Sequence, residues 1–374
     1  MTNNKKTYFI TGGGTGGHIY PAVSVMQNLL GQSDTEKIYY IGNPKNMEYD
    51  IVKKINGVEF LPIDINGMPR KFGLDFLIWL FKFEIALWKA LSYLLKYKPD
   101  AVFATGGYVS APIAFMAGLL KKPLMLHDCD SVPGLVSKYA APLANVVSVA
   151  FESAKKVLKS DKVIVTGNPI RQDFGEVSKE QAREKLGLRE GKFTIFITGG
   201  SQGAKTLNDA GIYIAQHIVE AMDNQLIIQT GKKNYDEVIK RLDEYFPNHA
   251  KNTNLIIKPY FDDMIYPLKA ADIVISRAGS LILSEINICG LPAILVPYPH
   301  AAADHQRQNA KEAEKAGFAV WYDDAIFDGK ELQRILYSIF FNEKRLMEMC
   351  EKSHANAKPE ALNQIIDTLK SLIK

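Results

Sequence analysis

The chain has 374 residues, of which 47% are hydrophobic and 23% charged, and its formal net charge is +4. This composition excludes a disordered chain, the length suits two domains, and so small a charge gives no support for nucleic-acid binding. The cysteines Cys129, Cys289 and Cys350 show no short spacing, which predicts neither a disulfide framework nor a zinc site.

In chain order, short apolar runs alternate with helix-period segments, from "TYFIT" and "KIYYIG" in the first half to "FTIFIT" and "PAILVPY" in the second. Such alternation is typical of βαβ units and parallel sheets. We therefore predict two Rossmann-like, doubly wound parallel-sheet domains facing a cleft. Their expected ranges are 1–167 and 168–352, with residues 353–374 forming a C-terminal helix that packs back on the first domain.

The stretch "FITGG" occurs twice, at 9–13 and at 196–200, and a helical pattern follows each copy. Glycines let a ligand approach the main chain, and the free amides at a helix start attract anions. A single copy could serve only to pack strand against helix. Two copies, each opening one half of the chain, favour a phosphate or pyrophosphate site between the domains.

The two turns are not P-loops, because Ala204 replaces the second glycine in one copy and His18 replaces the lysine in the other. Residues 41–44, which follow the second predicted strand, include no carboxylate to hold a dinucleotide ribose. The ligand class that remains after P-loop nucleotides and dinucleotides is a nucleoside diphosphate with no second nucleotide attached. Nucleotide sugars fit that description.

Six stretches resemble the MurG family of peptidoglycan glycosyltransferases and keep their order from Gly12 to about Phe318: "GGGTGGHIYPAVSV", "ATGGYVSAP", "GNPIR", "GGSQGAKTLN", "FDDMIYPLKAADIVISRAGSLILSEI" and "GLPAILVPYPHAAADHQRQNA". The resemblance implies a GT-B fold. It also implies transfer of N-acetylglucosamine, with inversion, from UDP-N-acetylglucosamine to lipid I, giving lipid II. No metal and no other cofactor is expected to be required.

The same resemblance implies a set of donor-binding residues: Thr15, Gly16 and Gly17 in the first turn; Ser201, Gln202 and Gly203 in the second; Arg171; Phe261, through its main chain at the uracil edge; Ser280, Leu281, Ile282, Leu283, Ser284 and Glu285 at a helix start; and Gln306 at the sugar hydroxyls. Glu285 could accept hydrogen bonds from both ribose hydroxyls. Without the resemblance, Glu285 and Gln306 could equally be solvated surface residues.

Tyr108, Asp130 and His305 are further candidates for substrate contact, and two of them depart from the family pattern. Where the family commonly reads His-Glu-Gln-Asn, this chain reads "HDCD" at 127–130, so Asp130 replaces an asparagine. A carboxylate there would repel a pyrophosphate unless it is protonated or paired. His305 precedes Gln306 where some members have a second glutamine.

Inverting transfer requires a base for the acceptor hydroxyl and stabilisation of the departing UDP. His18 is the candidate base, since it follows the first turn and imidazole titrates near neutral pH. It could instead donate to phosphate, position the acceptor, or be purely structural. The leaving-group charge would fall on the amides of the second turn, the helix start at Ser280 and Arg171.

Lipid I is membrane-bound, and the segment 68–98 offers a membrane contact. On a helix Phe72, Phe76, Trp79 and Phe83 share one stripe, flanked by lysines that would attract anionic inner-leaflet lipid. The family docks through this region. We therefore expect membrane contact for 72–83, a core role after Ile85, and a peripheral location on the cytoplasmic face.

Two other functions fit the sequence less closely. A UDP-N-acetylglucosamine 2-epimerase also has two Rossmann-like domains, but it would not need the 72–83 patch, and its carboxylate-rich site is not visible. A non-catalytic subunit could bind a nucleotide sugar and recruit partners to the membrane.

Overall fold

The structure is a computed structural model that describes residues 5–69 and 71–373. The chain forms two compact units: unit 1 comprises Met1–Arg171 and Pro359–Lys374, and unit 2 comprises Gln172–Lys358. The second boundary lies beyond the expected 352/353 because a helix continues through that point to Ala355. The first lies four residues beyond the expected 167/168, after the segment that carries Arg171.

Each unit contains one parallel sheet. In unit 1 the strand order is β3-β2-β1-β4-β5-β6-β7, with β1 Lys6–Thr11, β2 Thr35–Gly42, β3 Val58–Pro62, β4 Ala101–Ala104, β5 Leu124–Asp128, β6 Val146–Val149 and β7 Val163–Val165. In unit 2 it is β10-β9-β8-β11-β12-β13, with β8 Thr194–Thr198, β9 Gln225–Gln229, β10 Leu255–Lys258, β11 Ile273–Ser276, β12 Ala293–Leu295 and β13 Ala319–Trp321. These sheets confirm the predicted fold class.

The helices are α1 Gly16–Leu30, α2 Met47–Val52, α3 Leu74–Tyr97, α4 Ser110–Leu119, α5 Leu135–Ala140, α6 Glu152–Leu158, α7 Lys179–Leu186, α8 Lys205–Gln216, α9 Tyr235–Tyr245, α10 Ile265–Ala270, α11 Ser280–Ile288, α12 His305–Ala316, α13 Gly329–Phe340, α14 Glu343–Ala355 and α15 Ala361–Ser371. Helices α1 to α12 fall between the strands, as expected for βαβ units, and α13 to α15 follow the last strand.

Sheet 1 is buried on both faces, and alternate residues of β1 show why. Phe9 packs in a cluster with residues of α3 and α4, whereas Tyr8 and Ile10 pack in a second cluster with residues of α1 and α15. Successive side chains of a strand point to opposite faces, so an uninterrupted apolar run is what a doubly covered strand requires.

The C-terminal helix α15 belongs to unit 1 and packs against α1. Its buried face consists of Leu362, Ile365, Ile366 and Leu369. Lys370 adds hydrogen bonds of 2.9 and 2.7 Å to the carboxylate of Asp34. The amphipathic pattern of this segment therefore serves to cover sheet 1.

Helix α3 places its aromatic stripe differently from the sequence expectation. Phe76, Trp79 and Phe83 stack in succession at ring separations of 6.1 and 5.2 Å, and Trp79 and Phe83 pack against the core of unit 1. Only Phe72, 89% exposed, faces solvent fully. The indole Nε1 of Trp79 donates a hydrogen bond of 2.9 Å to the carbonyl of Asn66, which fixes the ring inward.

The outer face of α3 is instead largely aliphatic, and it continues past Ile85, where a core role was expected. It consists of Leu74, Leu77, Ile78, Phe81, Ile85, Trp88 and Leu95, all exposed, and the exposed Phe72 lies just before the helix. The expectation was wrong for Trp79 and Phe83 because this helix docks on the sheet through the face that carries Ala86, Ala90 and Leu94. Within residues 5–69 and 71–373, no helix combines the length and apolarity needed to cross a bilayer.

Candidate active site

Both sheets have a topological switch point, where the strand order reverses and ligands of open α/β sheets characteristically bind. It lies between β1 and β4 in unit 1 and between β8 and β11 in unit 2. The two glycine-rich turns directly follow β1 and β8. The duplicated motif thus occupies the same place in each unit.

The first turn is packed so closely that glycine is required. A Cβ on Gly12 would lie 1.9 Å from Oγ1 of Thr105, and one on Gly107 would lie 2.1 Å from the carbonyl oxygen of Gly13. Gly107 also has a φ of +78°, in the left-handed region. The loops that follow β1 and β4 are therefore in main-chain contact, and their glycines are fixed by that contact.

Glu48 stabilises this turn through hydrogen bonds, and the sequence did not predict that role. The fully buried Glu48 carboxylate accepts hydrogen bonds from the main-chain N–H groups of Asn43, at 3.1 Å, and Gly14, at 3.4 Å. The Gly12 carbonyl in turn accepts from the hydroxyl of Tyr40 at 2.6 Å. Nothing in the segment "NPKNMEYD" distinguishes Glu48 from an ordinary surface acid, and only the fold reveals its role.

Thr15, Gly16, Gly17 and His18 form the start of α1 at the switch point of unit 1. Thr15 is exposed and His18 is half-buried, and Thr15 Oγ1 lies 3.2 Å from Nδ1 of His18. The carbonyl of His18 accepts a 2.5 Å hydrogen bond from Oγ1 of Thr105. The His18 ring lies beside Gly106, since a Cβ there would be 3.0 Å from Cδ2. The imidazole is thereby oriented at a position where a reacting group could bind.

Tyr108 is 42% exposed, and its ring lies over Gly67, where an added Cβ would be 3.0 Å from Cε2. It follows Gly106 and Gly107 directly, so it lies at the edge of the same switch point. This position is compatible with the substrate contact expected of it.

The loop that follows β5 is organised by two buried groups, His127 and Asp128. Burial lowers the pKa of His127 to about 4. The His127 ring nitrogens lie 2.9 Å from Oγ of Ser148 and 3.1 Å from Oδ1 of Asn168. Burial also raises the pKa of Asp128, whose carboxylate accepts from the N–H of Gly134 at 2.9 Å. His127 is therefore a neutral structural residue and not a second base.

Cys129 and Asp130 follow these groups and lie beside His18. The Cys129 thiol donates to Oδ2 of Asp130 at 3.7 Å, and one ligand-type atom from each of His18, Cys129 and Asp130 lies within 4.8 Å of the others. More than a hundred residues separate His18 from Cys129, so no sequence spacing reveals this cluster.

In unit 2 the second turn leads into α8, and it is packed as closely against neighbouring main chain as the first turn is. A Cβ on Gly203 would lie 1.9 Å from the carbonyl oxygen of Thr230, and Gly203 has a φ of +75°. Ser201 and Gln202 are exposed. Helix α8 has no side-chain cap, so the first-turn amides can bind an anion.

Gln229 ties this turn to Phe261 and was also missed by sequence reasoning. The Gln229 amide nitrogen donates to Oγ1 of Thr198 at 3.0 Å and to the carbonyl of Gly200 at 3.2 Å, while Oε1 accepts from the main-chain N–H of Phe261 at 2.9 Å. The N–H of residue 261 is thus engaged within the protein. Of its main chain, only the carbonyl can serve the expected contact with a base edge.

Helix α11 follows β11 and begins at Ser280, again with no side-chain cap. Leu281, Ile282, Ser284 and Glu285 are half-buried, but Leu283 is only 2% exposed. The helical period turns the Leu283 side chain inward, so within the expected donor segment 280–285 this residue offers its main chain. Ser280, the first residue of the helix, is buried as well.

Arg277, just before α11, fixes the loop that follows β12. Its Nη1 donates to the carbonyls of Val296, at 3.0 Å, and Pro297, at 3.2 Å, and to Oδ1 of Asp324 at 2.6 Å. The main-chain N–H of Tyr298, next in that loop, donates to Oε1 of Gln306 at 2.9 Å. Gln306 is therefore held by its oxygen, and its amide nitrogen is the group suited to a ligand hydroxyl.

One ring nitrogen of His305 is engaged within its own turn. Its Nδ1 donates to the carbonyl of Ala302 at 2.6 Å, which folds the ring onto its own turn. This geometry argues against the sugar contact expected for His305. Arg171 is half-buried, in the last position of unit 1 and four residues after the left-handed Gly167.

Two parallel α/β units, each with a glycine-rich turn at its switch point, are the architecture of a GT-B glycosyltransferase, and the chain belongs to that class. Models of the glycosyltransferase family 28 N-terminal and C-terminal domains match residues 8–149 and 194–365. The UDP-N-acetylglucosamine–N-acetylmuramyl-(pentapeptide) pyrophosphoryl-undecaprenol N-acetylglucosamine transferase of Halothermothrix orenii is 38% identical, with 97% of this chain and 98% of the relative covered. The chain is thus a member of the MurG family of transferases.

Solved structures agree with this assignment. Acinetobacter baumannii MurG matches with a TM-score of 0.75 at 27% identity, covering 98% of this chain and 99% of that one. The UDP-GlcNAc 2-epimerase of Neisseria meningitidis, solved with UDP-GlcNAc, matches with a TM-score of 0.70 at 16% identity, covering 98% and 100%. The second likeness is one of fold alone, so it gives the epimerase alternative no independent support.

Proposed function

We propose that this glycosyltransferase moves N-acetylglucosamine from UDP-N-acetylglucosamine to the muramyl sugar of lipid I, producing lipid II for peptidoglycan synthesis. The single observation that carries the proposal is 38% identity, over 97% of the chain, to a transferase named for this reaction. The matched region includes both glycine-rich turns and the α11 helix start.

In this proposal unit 2 binds the donor. The amides after Gly199 and those at the start of α11 face the diphosphate, because uncapped helix starts concentrate positive potential. Glu285 binds the ribose hydroxyls, and the Gln306 amide nitrogen binds a sugar hydroxyl. As the glycosidic bond to UDP breaks, the same amides stabilise the negative charge that develops on the diphosphate.

Unit 1 binds the acceptor, and His18 takes the proton from its attacking hydroxyl. Thr15 and Thr105 orient this residue through the contacts of 3.2 Å to its ring and 2.5 Å to its carbonyl. The hydroxyl oxygen then forms a bond to the anomeric carbon from the face opposite UDP, which inverts that centre. No metal or other cofactor is required in this scheme.

We further propose that the outer face of α3 rests on anionic lipid at the cytoplasmic surface of the membrane. Phe81 is 65% exposed and Trp88 66% exposed, and aromatic side chains of this kind insert at the headgroup boundary. Lys71, Lys82 and Lys96 are exposed along the same segment and would attract a negative leaflet. The site of unit 1 would then lie on a protein already held at the surface that contains its acceptor.

The proposal is tested by incubating purified protein with UDP-N-acetylglucosamine and a lipid I analogue. We expect UDP release and a β-linked disaccharide product only when the acceptor is present. Release of a free sugar epimer without acceptor would replace the proposal with the 2-epimerase function. Binding of donor with no turnover, by a folded protein, would replace it with a non-catalytic recruitment role.

A further inference from the structure

Three side chains of unit 1, one from the start of α1 and two from the loop after β5, bring together the donor atoms that zinc prefers. One atom each from His18, Cys129 and Asp130 lies within 4.8 Å of the other two. Around tetrahedral zinc, bonds of about 2.0–2.3 Å place neighbouring ligand atoms roughly 3.3–3.8 Å apart. The 3.7 Å between Cys129 Sγ and Asp130 Oδ2 already meets that spacing, so only the imidazole must approach.

We propose that His18, Cys129 and Asp130 form a binding site for a divalent cation of borderline softness, with zinc the best fit. A thiolate and a carboxylate together offset the charge of the cation, and a neutral imidazole completes a nitrogen–sulfur–oxygen set. On binding, the thiol S–H bond breaks, a metal–sulfur bond forms and the proton passes to solvent. No oxidant or reductant is needed.

Among residues 5–69 and 71–373, the nearby His127 and Asp128 are engaged in other contacts and do not belong to the cluster. Both ring nitrogens of His127 contact neighbouring side chains, Ser148 and Asn168. The Asp128 carboxylate accepts main-chain N–H groups at 2.9 and 3.3 Å. A zinc ion with three protein ligands keeps one open position, which water or an oxygen of the substrate can fill.

Of the three cysteines of the chain, Cys129 is the one in the cluster. The other two cysteines do not compete for the metal. Burial raises the pKa of Cys289 to about 12 and also raises the pKa of Cys350, which disfavours the thiolate form of both. Neither belongs to the cluster.

A metal at this site would switch the enzyme off, a consequence that rests on the proposed function of His18. A nitrogen that coordinates zinc cannot accept the proton of the acceptor hydroxyl. The cation would also fix Asp130 and Cys129 in place beside the first turn, because a Cβ on Gly17 would lie only 3.9 Å from Sγ of Cys129. The inference is thus a reversible inhibitory site built into the acceptor side of unit 1.

The binding test uses untagged, metal-free full-length protein titrated with Co²⁺, whose thiolate complexes absorb visibly, and with Zn²⁺ by calorimetry. We expect one saturable site per chain. Cys129→Ser and Asp130→Asn should each lower the metal affinity by at least about tenfold. Loss of a residue that only hydrogen-bonds to a metal ligand already costs about tenfold or more, so loss of a ligand itself should cost at least as much. Cys350→Ser, which alters a thiol outside the cluster, should bind like the wild type.

Circular dichroism verifies that each variant is folded. Absence of a saturable site in the wild type, or wild-type binding by folded Cys129→Ser, would overturn the inference.

The inhibition test measures sugar transfer during the same Zn²⁺ titration. We expect the rate to fall with the midpoint found by calorimetry, and folded Cys129→Ser to be far less sensitive relative to its own metal-free rate. Full activity at saturating Zn²⁺ would refute the inhibitory role. If the metal binds as expected but no transfer occurs under any condition, the proposed function fails while the binding site stands.

Discussion

Nε2 of His127 lies 3.1 Å from Oδ1 of Asn168, so a buried hydrogen bond joins the end of β5 to the segment that follows β7. The other ring nitrogen, Nδ1, lies 2.9 Å from Oγ of Ser148, which in turn is 2.6 Å from Oγ1 of Thr166. This chain of polar side chains is what holds the Thr166–Asn168 turn against sheet 1.

The first prediction concerns the pH dependence of stability. Burial lowers the pKa of His127 to about 4, whereas in the unfolded chain it is near 6.5. Between these values the unfolded state binds the extra proton, so the free energy of unfolding should fall by up to about 3 kcal/mol as the pH drops through that window. Urea unfolding at pH 7, 5.5 and 4 measures this.

His127→Gln is the matched variant, because glutamine can hydrogen-bond but does not titrate. Its unfolding free energy should be lower at pH 7 and depend less steeply on pH below 6.5. Asp128, whose pKa burial raises, acts in the opposite direction in both proteins, so its effect cancels in the comparison. Equal slopes for the two proteins would mean that His127 is not the titrating group.

The second prediction tests His18. General base catalysis typically accelerates a reaction by roughly 10²–10⁴-fold. His18→Ala should therefore lower kcat by about this factor, while the Kd for UDP-N-acetylglucosamine changes little. Steady-state kinetics and donor calorimetry provide the two quantities. His354→Ala, which removes an exposed imidazole of α14, should leave both unchanged.

An unchanged kcat for His18→Ala would remove this residue from the chemistry. A normal kcat with a raised KM for the lipid I analogue would assign it the rival role of positioning the acceptor.

The third prediction uses two glycines of the second turn that share a left-handed φ, +78° at Gly200 and +75° at Gly203. A Cβ meets nothing within 4 Å at Gly200 but lies 1.9 Å from the Thr230 carbonyl at Gly203. Gly200→Ala should cost about 1–2 kcal/mol of stability, the conformational penalty alone. Gly203→Ala should cost about 1–3 kcal/mol more and weaken UDP binding, because the turn must shift.

Chemical denaturation and UDP calorimetry on both variants decide this point. Equal losses of stability and of UDP affinity would show that the close approach at Gly203 does not shape the turn.

The fourth prediction concerns Arg277, whose side chain is 13% exposed in its ion pair with Asp324. Arg277→Ala releases the carbonyls of residues 296 and 297 and with them the Gln306 contact. KM for UDP-N-acetylglucosamine should rise about tenfold or more, since misplacing a binding group by 1 Å can cost up to about a hundredfold. The Kd for UDP, which lacks the sugar, should stay the same.

Arg277→Lys should recover part of the loss, because it keeps the charge but not the forked donors. Arg334→Ala, which breaks the exposed pair with Glu331, is the control and should have no effect on KM. If UDP and UDP-N-acetylglucosamine lose affinity equally in Arg277→Ala, the residue supports the whole unit and not the sugar site.

The fifth prediction separates the two faces of α3. Phe81→Ser combined with Trp88→Ser should reduce binding to anionic vesicles by more than about tenfold, because each buried aromatic contributes roughly 1.5–3 kcal/mol. Phe83→Ser, on the inner face, should lower the unfolding free energy instead. Phe341→Ser removes an aromatic of unit 2 that is 75% exposed and serves as the control.

Vesicle co-sedimentation at low and high salt measures this binding, which added salt should weaken. Ultracentrifugation without vesicles tests the alternative: a stable dimer abolished by the Phe81→Ser and Trp88→Ser pair would show that the outer face of α3 binds a second copy of the chain.

The α3 helix also shows what a sequence can and cannot predict. The spacing of its apolar residues predicts an amphipathic helix, but two different apolar faces have that same spacing. The spacing alone therefore does not tell which face packs on the sheet. Trp79, Phe83, Ala86 and Ala90 are spaced by four, three and four residues, so they share one face of the helix. Small residues such as these alanines are typical of the face that packs closely on a sheet. The alanines on this face were the available sign that the aromatic stripe lies inward.

The two glycine-rich turns were predictable because each is encoded within a dozen consecutive residues. Glu48, Gln229 and the thiol of Cys129 were not, because each acts through residues more than thirty positions away or on a neighbouring strand. Strand order alone brings them together, and strand order depends on the packing of the whole sheet.

The assignment of α15 to unit 1 has a consequence for how the protein is made. A ribosome completes all of unit 2 before it releases the helix that seals Ile19, Met26 and Leu29 of α1. Until then the nascent N-terminal half exposes the hydrophobic surface of α1 that α15 later covers, and exposed hydrophobic surface promotes aggregation. More than half of the chain, residues 172–374, is therefore synthesised while this surface of unit 1 lacks its cover, and a fragment ending near residue 358 should aggregate more readily than the full chain.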